Sequence, residues 1–214
     1  MKERRRQVGL ISCFGFLFVI SVQISLAQTE VSGKVAGVWT LLESPFIVKD
    51  DISVSIGDTL RIEPGVKILF DGHFEFSIKG LLQAAGTDAD SITFTHKAPD
   101  STWAGIRFSE ADKNSILEYC TIEYSDQSGI TVFKSSITVK YNTIRNNQDI
   151  GSQFQVGMGG GIYVSFSAPL IAGNYIVNNS AERGGGIEYN EDGTPNRCEI
   201  LNNIIVSNSA STLG

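Results

Sequence analysis

Apolar and polar residues alternate along short stretches of the chain after residue 27, which is the pattern of β-strands with one buried face. Turn-forming residues separate these stretches, for example Gly57-Asp58, Pro64-Gly65 and Asp71-Gly72. Helical periodicity is nearly absent from the same part of the chain. The pattern therefore predicts an all-β fold of many short strands, although a sandwich or a barrel would fit it as well. The clearest stretches are 52–56, 66–70, 74–78 and 92–95.

The second half of the chain repeats itself, and this repetition favours a solenoid. One repeated position carries Cys120, Asn142, Asn174 and Asn203, at spacings of 22, 32 and 29 residues. An apolar residue precedes it by three, an isoleucine follows it by two, and a serine or asparagine follows it by five: Leu117, Val139, Ile171 and Ile200; Ile122, Ile144, Ile176 and Ile205; Ser125, Asn147, Asn179 and Asn208. A second position carries isoleucine after glycine, at spacings of 24, 32 and 25 residues: Ile106, Ile130, Ile162 and Ile187 after Gly105, Gly129, Gly161 and Gly186.

A coil of three short strands, about 22 to 25 residues long with surface insertions, explains both sets. Successive coils stack at the strand spacing of about 4.7–4.9 Å, so equivalent residues lie directly above one another. Inward positions then form ladders of isoleucine, leucine and valine. Asparagine tolerates the left-handed backbone of a corner, and glycine allows a sharp bend. We therefore predict a parallel β-helix over residues 46–214, preceded by an N-terminal capping segment at 28–45, with structural roles for these asparagines and glycines.

The N-terminus has the pattern of a signal peptide. Residues 2–6 read KERRR, residues 8–26 are mostly apolar, and Ser25-Leu26-Ala27 supplies small residues before a cleavage point. A membrane anchor is the alternative, but Ser12, Ser21 and Gln23 interrupt the apolar run. We therefore predict a signal peptide at 1–27, a secreted or cell-surface protein, and no transmembrane segment once the signal is removed.

Charge and cysteine content exclude several classes of function. The chain carries 17 basic and 23 acidic residues, and residues 28–214 retain 13 basic and 22 acidic residues without a basic cluster, so nucleic acid is not an expected partner. His73 and His96 are isolated, so no zinc site is predicted, and no other metal or cofactor site is assigned. Cys120 and Cys198 lie on different strands three coils apart in the predicted register, so a disulfide between them is not expected.

Two glycine-rich segments, residues 159–164 (GGGIYV) and 183–189 (RGGGIEY), alternate with asparagine-rich strands such as 174–181 (NYIVNNSA). Together with residues 59–70, 80–86, 92–95 and 103–108, they resemble the secreted bacterial right-handed parallel β-helix proteins of the pectate-lyase-like superfamily. The resemblance covers about residues 38–214 and implies the right-handed coil. Residues 175–178 (YIVN) also resemble, once, a repeat motif of polymorphic outer membrane proteins.

The resemblance implies where a site would lie, because enzymes of that superfamily cleave acidic polysaccharides with groups on the outer face of one strand column. Because consecutive side chains of a strand point to opposite faces, the residue after each inward isoleucine of the second repeat set points outward, and these residues form a column about 14 Å long. Insertions at 148–161 and around 190–197 flank this column as the walls of a groove would. We interpret it as a possible ligand-binding face for a polysaccharide or cell-surface glycan, although ordinary solvent-facing residues would look the same: Arg107, Thr131, Tyr163 and Glu188.

The same column argues against catalysis. A glycoside hydrolase needs two carboxylates at a defined separation, whereas this column offers a single glutamate. We therefore predict no catalytic residues and a non-catalytic protein of adhesion or glycan binding. A polysaccharide lyase or hydrolase with incomplete catalytic coils and a structural spacer within a larger surface protein remain the alternatives. The next glycine-rich bend would begin at Gly214, so we also expect the sequence to be a C-terminally truncated fragment.

Overall fold

The computed structural model describes residues 28–151, 156–190 and 197–213. The predicted signal peptide at 1–27 lies outside these residues, as do parts of the two predicted insertions, at 152–155 and 191–196. No helix that is long and apolar enough to cross a membrane occurs in the described ranges. The described chain is almost entirely β-structure, with one short 3-10 turn at Leu41–Glu43.

The strands are short and follow one another throughout the described residues. In chain order they are β1 (Thr29–Lys34), β2 (Gly37–Trp39), β3 (Phe46–Val54), β4 (Thr59–Ile62), β5 (Lys67–Phe70), β6 (Phe76–Ile78), β7 (Leu81–Ala85), β8 (Ile92–His96), β9 (Ile106–Ser109), β10 (Ile116–Glu118), β11 (Cys120–Glu123), β12 (Ile130–Phe133), β13 (Thr138–Lys140), β14 (Thr143–Arg145), β15 (Gln148–Asp149), β16 (Ile162–Ser165), β17 (Leu170–Ala172), β18 (Tyr175–Val177), β19 (Ser180–Arg183), β20 (Ile187–Asn190), β21 (Glu199–Leu201), β22 (Ile204–Val206) and β23 (Ser209–Leu213).

Most of these strands pair in parallel and form the three faces of a β-helix, and β15, β19 and β23 form a further short parallel sheet. We name the three faces face A (β5, β8, β11, β14, β18, β22), face B (β6, β9, β12, β16, β20) and face C (β2, β4, β7, β10, β13, β17, β21). The long strand β3 pairs with both β5 and β6, so it joins faces A and B into one sheet. Strand β1 also pairs with β3, on the edge opposite to the one that pairs with β5 and β6. The predicted parallel β-helix is confirmed.

The predicted repeat register is also confirmed. On face A, Ile122 pairs with Ile144, which pairs with Ile176, and the column continues to Ile205. The corresponding columns on face C and face B run through Leu117, Val139, Ile171 and Ile200, and through Ile106, Ile130, Ile162 and Ile187. The side chains of these columns are buried and belong to one apolar core, except in the last described coil. There Ile187 is half-buried and packs against the core, and Ile200 and Ile205 are exposed.

Two ladders of asparagine side chains, buried except in the last described coil, connect the coils at the corners on either side of face A. In each ladder an asparagine Oδ1 accepts the backbone N–H of the equivalent residue one coil earlier, and its Nδ2 donates to a backbone carbonyl. The first ladder begins at Cys120, whose N–H donates to Asn142 Oδ1 at 2.8 Å, and continues through Asn174 and Asn203. The second runs from Ser125 through Asn147 and Asn179 to Asn208. A buried polar backbone group needs such a partner, so these asparagines are structural.

The corner between faces B and C uses serine in place of asparagine. The N–H of Ser135 donates to Ser167 Oγ at 3.0 Å, and the N–H of Ala111 donates to Ser135 Oγ at 3.0 Å. Both serines are buried. The described coils are therefore connected by side-chain hydrogen bonds at all three corners, and this serine corner was not predicted.

The glycine column beside face B leaves room for the second asparagine ladder and for the neighbouring backbone. A Cβ at Gly161 would lie 2.5 Å from the carbonyl oxygen of Gly186 and 3.1 Å from Asn179 Nδ2. The first of these distances is too short for a carbon–oxygen contact, and the carbonyl, just before β20, is fixed because it accepts the N–H of Ile162 at 3.0 Å. Glycine is therefore required at this position by packing against the next coil.

We expect Gly161→Ala to lower the free energy of unfolding by about 1–3 kcal/mol, since the added methyl group must displace backbone in a packed coil. Urea denaturation followed by far-ultraviolet circular dichroism measures this loss. Ser136→Ala, at an exposed position, is the control and should change the stability by less than about 0.5 kcal/mol. An unchanged midpoint for Gly161→Ala would show that the coil spacing adapts to a side chain.

Both cysteines of the described residues are free thiols, as predicted. Burial raises the pKa of the Cys120 thiol well above its usual range. Burial, with a smaller contribution from the Glu199 carboxylate, raises the pKa of Cys198 to about 11. Both side chains are therefore protonated and unreactive at neutral pH.

Candidate functional site

The four residues of the predicted ligand-binding face lie in one column on the outer side of face B. Arg107 pairs with Thr131 in the sheet, Thr131 with Tyr163, and Tyr163 with Glu188. Strand alternation turns these four positions away from the apolar core, because their neighbours in each strand point inward. The column extends beyond the prediction in the N-terminal direction, where Ser77 pairs with Arg107.

A cleft of about 830 Å³ lies over the middle of this column. Three of the four predicted residues line it, whereas Glu188 does not. Thr131 is 5% exposed and Tyr163 is half-buried, so the cleft walls cover the floor of the site. The described residues that line the cleft are Arg107, Gln127, Ser128, Thr131, Phe133, Asp149, Gly151, Val156, Met158, Tyr163, Ser165, Phe166, Arg183 and Asn190.

One wall is formed by residues 149–151 and 156–158, and the Asp149 carboxylate holds these residues in place. Asp149 Oδ1 accepts the N–H of Gly151 at 2.9 Å, and Oδ2 accepts the N–H of Met158 at 3.1 Å. Oδ2 also accepts the hydroxyl of Ser128 at 3.2 Å. A single carboxylate thus joins both ends of the wall to the turn that precedes β12. Residues 152–155, between these ends, are outside the described residues.

The opposite wall is aromatic. Phe133, at the end of β12, meets Phe166 edge to face, with ring centroids 5.7 Å apart. Phe166 is 44% exposed, and Phe133 is half-buried. The Lys134 ammonium lies 5.2 Å from the Phe133 ring centroid and stabilises it by a cation–π contact. With Tyr163 on the floor, the cleft therefore presents aromatic surface on two sides, next to hydroxyl and amide groups.

The arginines that line the described cleft are paired with glutamates. Arg107 Nε donates to Glu75 Oε2 at 2.9 Å, and Arg183 Nη2 contacts Glu188 Oε1 at 3.0 Å. The Glu188 side chain is 17% exposed and faces its arginine, which explains why the carboxylate does not line the cleft. These contacts hold the arginines in position, and the glutamate carboxylates offset most of the positive charge of the arginines next to the cleft.

The other cleft residues fall into two groups. Some could have been predicted by extending the strand alternation, and the others have no signal in the sequence. Phe133 follows Thr131 by two, so alternation already places it on the same outer side, and it pairs with Ser165 on the next coil. Gln127 and Met158 lie outside the strands, and nothing in the repeat pattern indicates their position. Within the described residues, no group of three or more histidine, cysteine, aspartate or glutamate side chains could hold a metal ion.

Comparison with known proteins gives one family and one relative. The family described as "Right handed beta helix region" matches residues 48–205. Protein bark beetle of Drosophila melanogaster is 39% identical over 74 residues, which cover 30% of this chain and 2% of that protein. The chain therefore spans about 2% of the length of this relative. No solved structure matches the chain significantly.

Proposed function

Because the chain belongs to the right-handed β-helix family, we propose that it is a non-catalytic glycan-binding protein whose site is the cleft over face B. The observation that carries this proposal is the arrangement of the Tyr163 ring and the Thr131 hydroxyl on the floor, next to the aromatic wall of Phe133 and Phe166. Sugar rings have an apolar C–H face and a rim of hydroxyl groups, so aromatic surface combined with small polar groups suits them.

The fold supports recognition by shape. The cleft floor consists of strands within a continuous parallel sheet, and buried asparagine and serine ladders connect the coils beneath it. A site on such a rigid scaffold loses little conformational entropy when it binds a ligand. A glycan chain along the column would therefore meet side chains that are already positioned.

The carboxylates near the cleft support binding without bond cleavage. Asp149 accepts two hydrogen bonds from the wall and one from Ser128, and Glu75 and Glu188 are paired with arginines. A general acid or nucleophile needs a carboxyl group that is directed at the scissile bond. In the described part of the cleft, each carboxylate is instead engaged in holding another side chain or the backbone.

Secretion or display at a cell surface is part of the proposal. It is supported by the signal-peptide pattern at residues 1–27 and by the acidic balance of the remaining chain, which suits an extracellular protein that does not bind nucleic acid. Adhesion would follow if several weak glycan contacts acted together on one surface.

We expect Tyr163→Ala to weaken glycan binding about tenfold or more, since truncation removes the aromatic surface at the centre of the site. Tyr163→Phe should retain most of the affinity, because stacking needs the ring and not the hydroxyl. Binding is measured by screening the purified protein on a glycan array and then by isothermal titration with the strongest ligand.

The matched control for this experiment is Tyr175→Ala. Tyr175 occupies an outward strand position on face A and is 43% exposed, but it does not line the cleft. Its replacement should leave glycan affinity unchanged. Equal losses for the two alanine variants, or release of reducing or unsaturated sugar ends during incubation, would contradict the proposal.

A further inference from the structure

The charges of the described cleft leave no cation free to meet an anionic ligand. Arg107 and Arg183 line the cleft, and each contacts a glutamate carboxylate at 3.0 Å or less. Lys134, beside the aromatic wall, contacts the Glu110 carboxylate at 3.4 Å. The positive side chains around the described cleft are therefore neutralised before any ligand arrives.

One negative charge has no cationic partner among the described residues. Asp149 lines the cleft, and its described hydrogen-bond donors are neutral: two backbone N–H groups and the Ser128 hydroxyl. A uronic acid carries a carboxylate on its sixth carbon, and that group would need a cationic partner or several free N–H donors once it left water. It would instead meet paired arginines and the Asp149 carboxylate, which repels it.

The same groups suit uncharged sugars. An arginine that contacts a carboxylate through one nitrogen keeps further N–H groups, which can donate to sugar hydroxyls. Gln127, Thr131 and Asn190 add amide and hydroxyl groups that both donate and accept. We infer that the cleft selects neutral sugars and discriminates against uronic acids, an inference that rests on the proposed glycan-binding function.

The test uses pairs of oligosaccharides that differ only at the sixth carbon. Suitable pairs are oligogalacturonate with its carboxyl-reduced galactan, β-1,4-glucuronan with cello-oligosaccharides, and mannuronan with β-1,4-mannan. For any pair that binds, we expect the neutral member to bind at least about tenfold more tightly, because like-charge contact with a desolvated carboxylate is strongly unfavourable. The affinity for the neutral member should change little with salt concentration.

The decisive variant is Glu75→Gln, which removes the carboxylate that compensates Arg107 and leaves the shape almost unchanged. In this variant the ratio of the affinities for the neutral and the uronate member of a pair should fall about fivefold or more, because the freed guanidinium can pair with a uronate. Glu123→Gln is the matched control: Glu123 Oε2 accepts Arg145 Nε at 2.7 Å on face A, away from the cleft. This control should leave the preference unchanged, and the thermal midpoint of each variant confirms folding.

The outcomes separate the inference from the proposed function. Tighter binding of a neutral member, with a preference that narrows only in Glu75→Gln, supports the inference. Equal or tighter binding of a uronate that is lost in Tyr163→Ala overturns the neutral preference and leaves glycan binding at the cleft intact. Absence of binding to all six ligands at millimolar concentration overturns the proposed function and the inference with it.

Discussion

Replacement of Asn174 by alanine is expected to lower the free energy of unfolding by about 3–5 kcal/mol, because each buried polar group left without a partner costs about 1–3 kcal/mol. Asn174 Oδ1 accepts both the N–H and the Nδ2 of Asn142, at 2.9 and 3.0 Å. Its own Nδ2 donates to the carbonyl of Val139 at 2.9 Å. The methyl group of alanine can replace none of these contacts, and water has no access because Asn174 is 1% exposed.

The control for this prediction is Asn203→Ala, one coil further along the same ladder. Asn203 makes equivalent bonds, accepting the N–H and the Nδ2 of Asn174 and donating to the Ile171 carbonyl, but it is only partly buried. Water can replace its side chain more easily, so we expect a loss of about 1–2 kcal/mol. Urea titrations monitored by circular dichroism measure both losses. Equal losses at the two positions would show that burial does not determine the strength of the ladder.

The fold and the register could be predicted because a stacked coil turns sequence equivalence into spatial contact. Residues such as Asn142 and Asn174 recur in the sequence since each must hydrogen-bond its counterpart one coil away. The column through Thr131 and Tyr163 followed from the same register, since residues next to inward isoleucines face outward. The position of this outward column was therefore available from the repeat, without knowledge of the cleft walls.

The walls of the cleft could not be predicted, because they depend on contacts that occur once. Residues 149–151 and 156–158 are held by the single carboxylate of Asp149, an arrangement that no other coil repeats among the described residues. The ion pairs of Arg107 and Glu188 involve partners on neighbouring strands or loops, at separations that follow no period. A repeat pattern carries no information about such contacts, so the outward column alone could not show that Glu188 turns away from the cleft.

The coil that precedes the second asparagine ladder has a different residue at this corner, which the repeat did not indicate. Trp103 forms a parallel bridge with Ser125, so it occupies the same column one coil before the ladder begins. Its ring stacks on Phe70 with centroids 4.1 Å apart, and its Nε1 donates to the carbonyl of Glu123 at 2.8 Å. An aromatic ring thus fills the corner that asparagine fills in later coils. Tryptophan differs chemically from the asparagines and the serine of the later coils, so the repeat pattern does not show that Trp103 belongs to this column.

Trp103→Ala is accordingly expected to lower the free energy of unfolding by about 3–5 kcal/mol, through the cavity left by a fully buried ring and the loss of a buried hydrogen bond. Trp103→Phe keeps part of the stacking on Phe70 but leaves the Glu123 carbonyl without its donor, so its loss should be about 1–3 kcal/mol. The other tryptophan, Trp39, remains as a fluorescence probe in both variants, since it is buried against Phe46.

The two variants separate packing from hydrogen bonding at this corner. Chemical denaturation followed by Trp39 fluorescence and by circular dichroism gives both losses from the same samples. If Trp103→Phe is as unstable as Trp103→Ala, the hydrogen bond to Glu123 dominates and the ring acts as a donor in place of the asparagine amide. If Trp103→Ala costs less than about 1 kcal/mol, the corner relaxes around the cavity, and the coils before Ser125 do not depend on the aromatic stack.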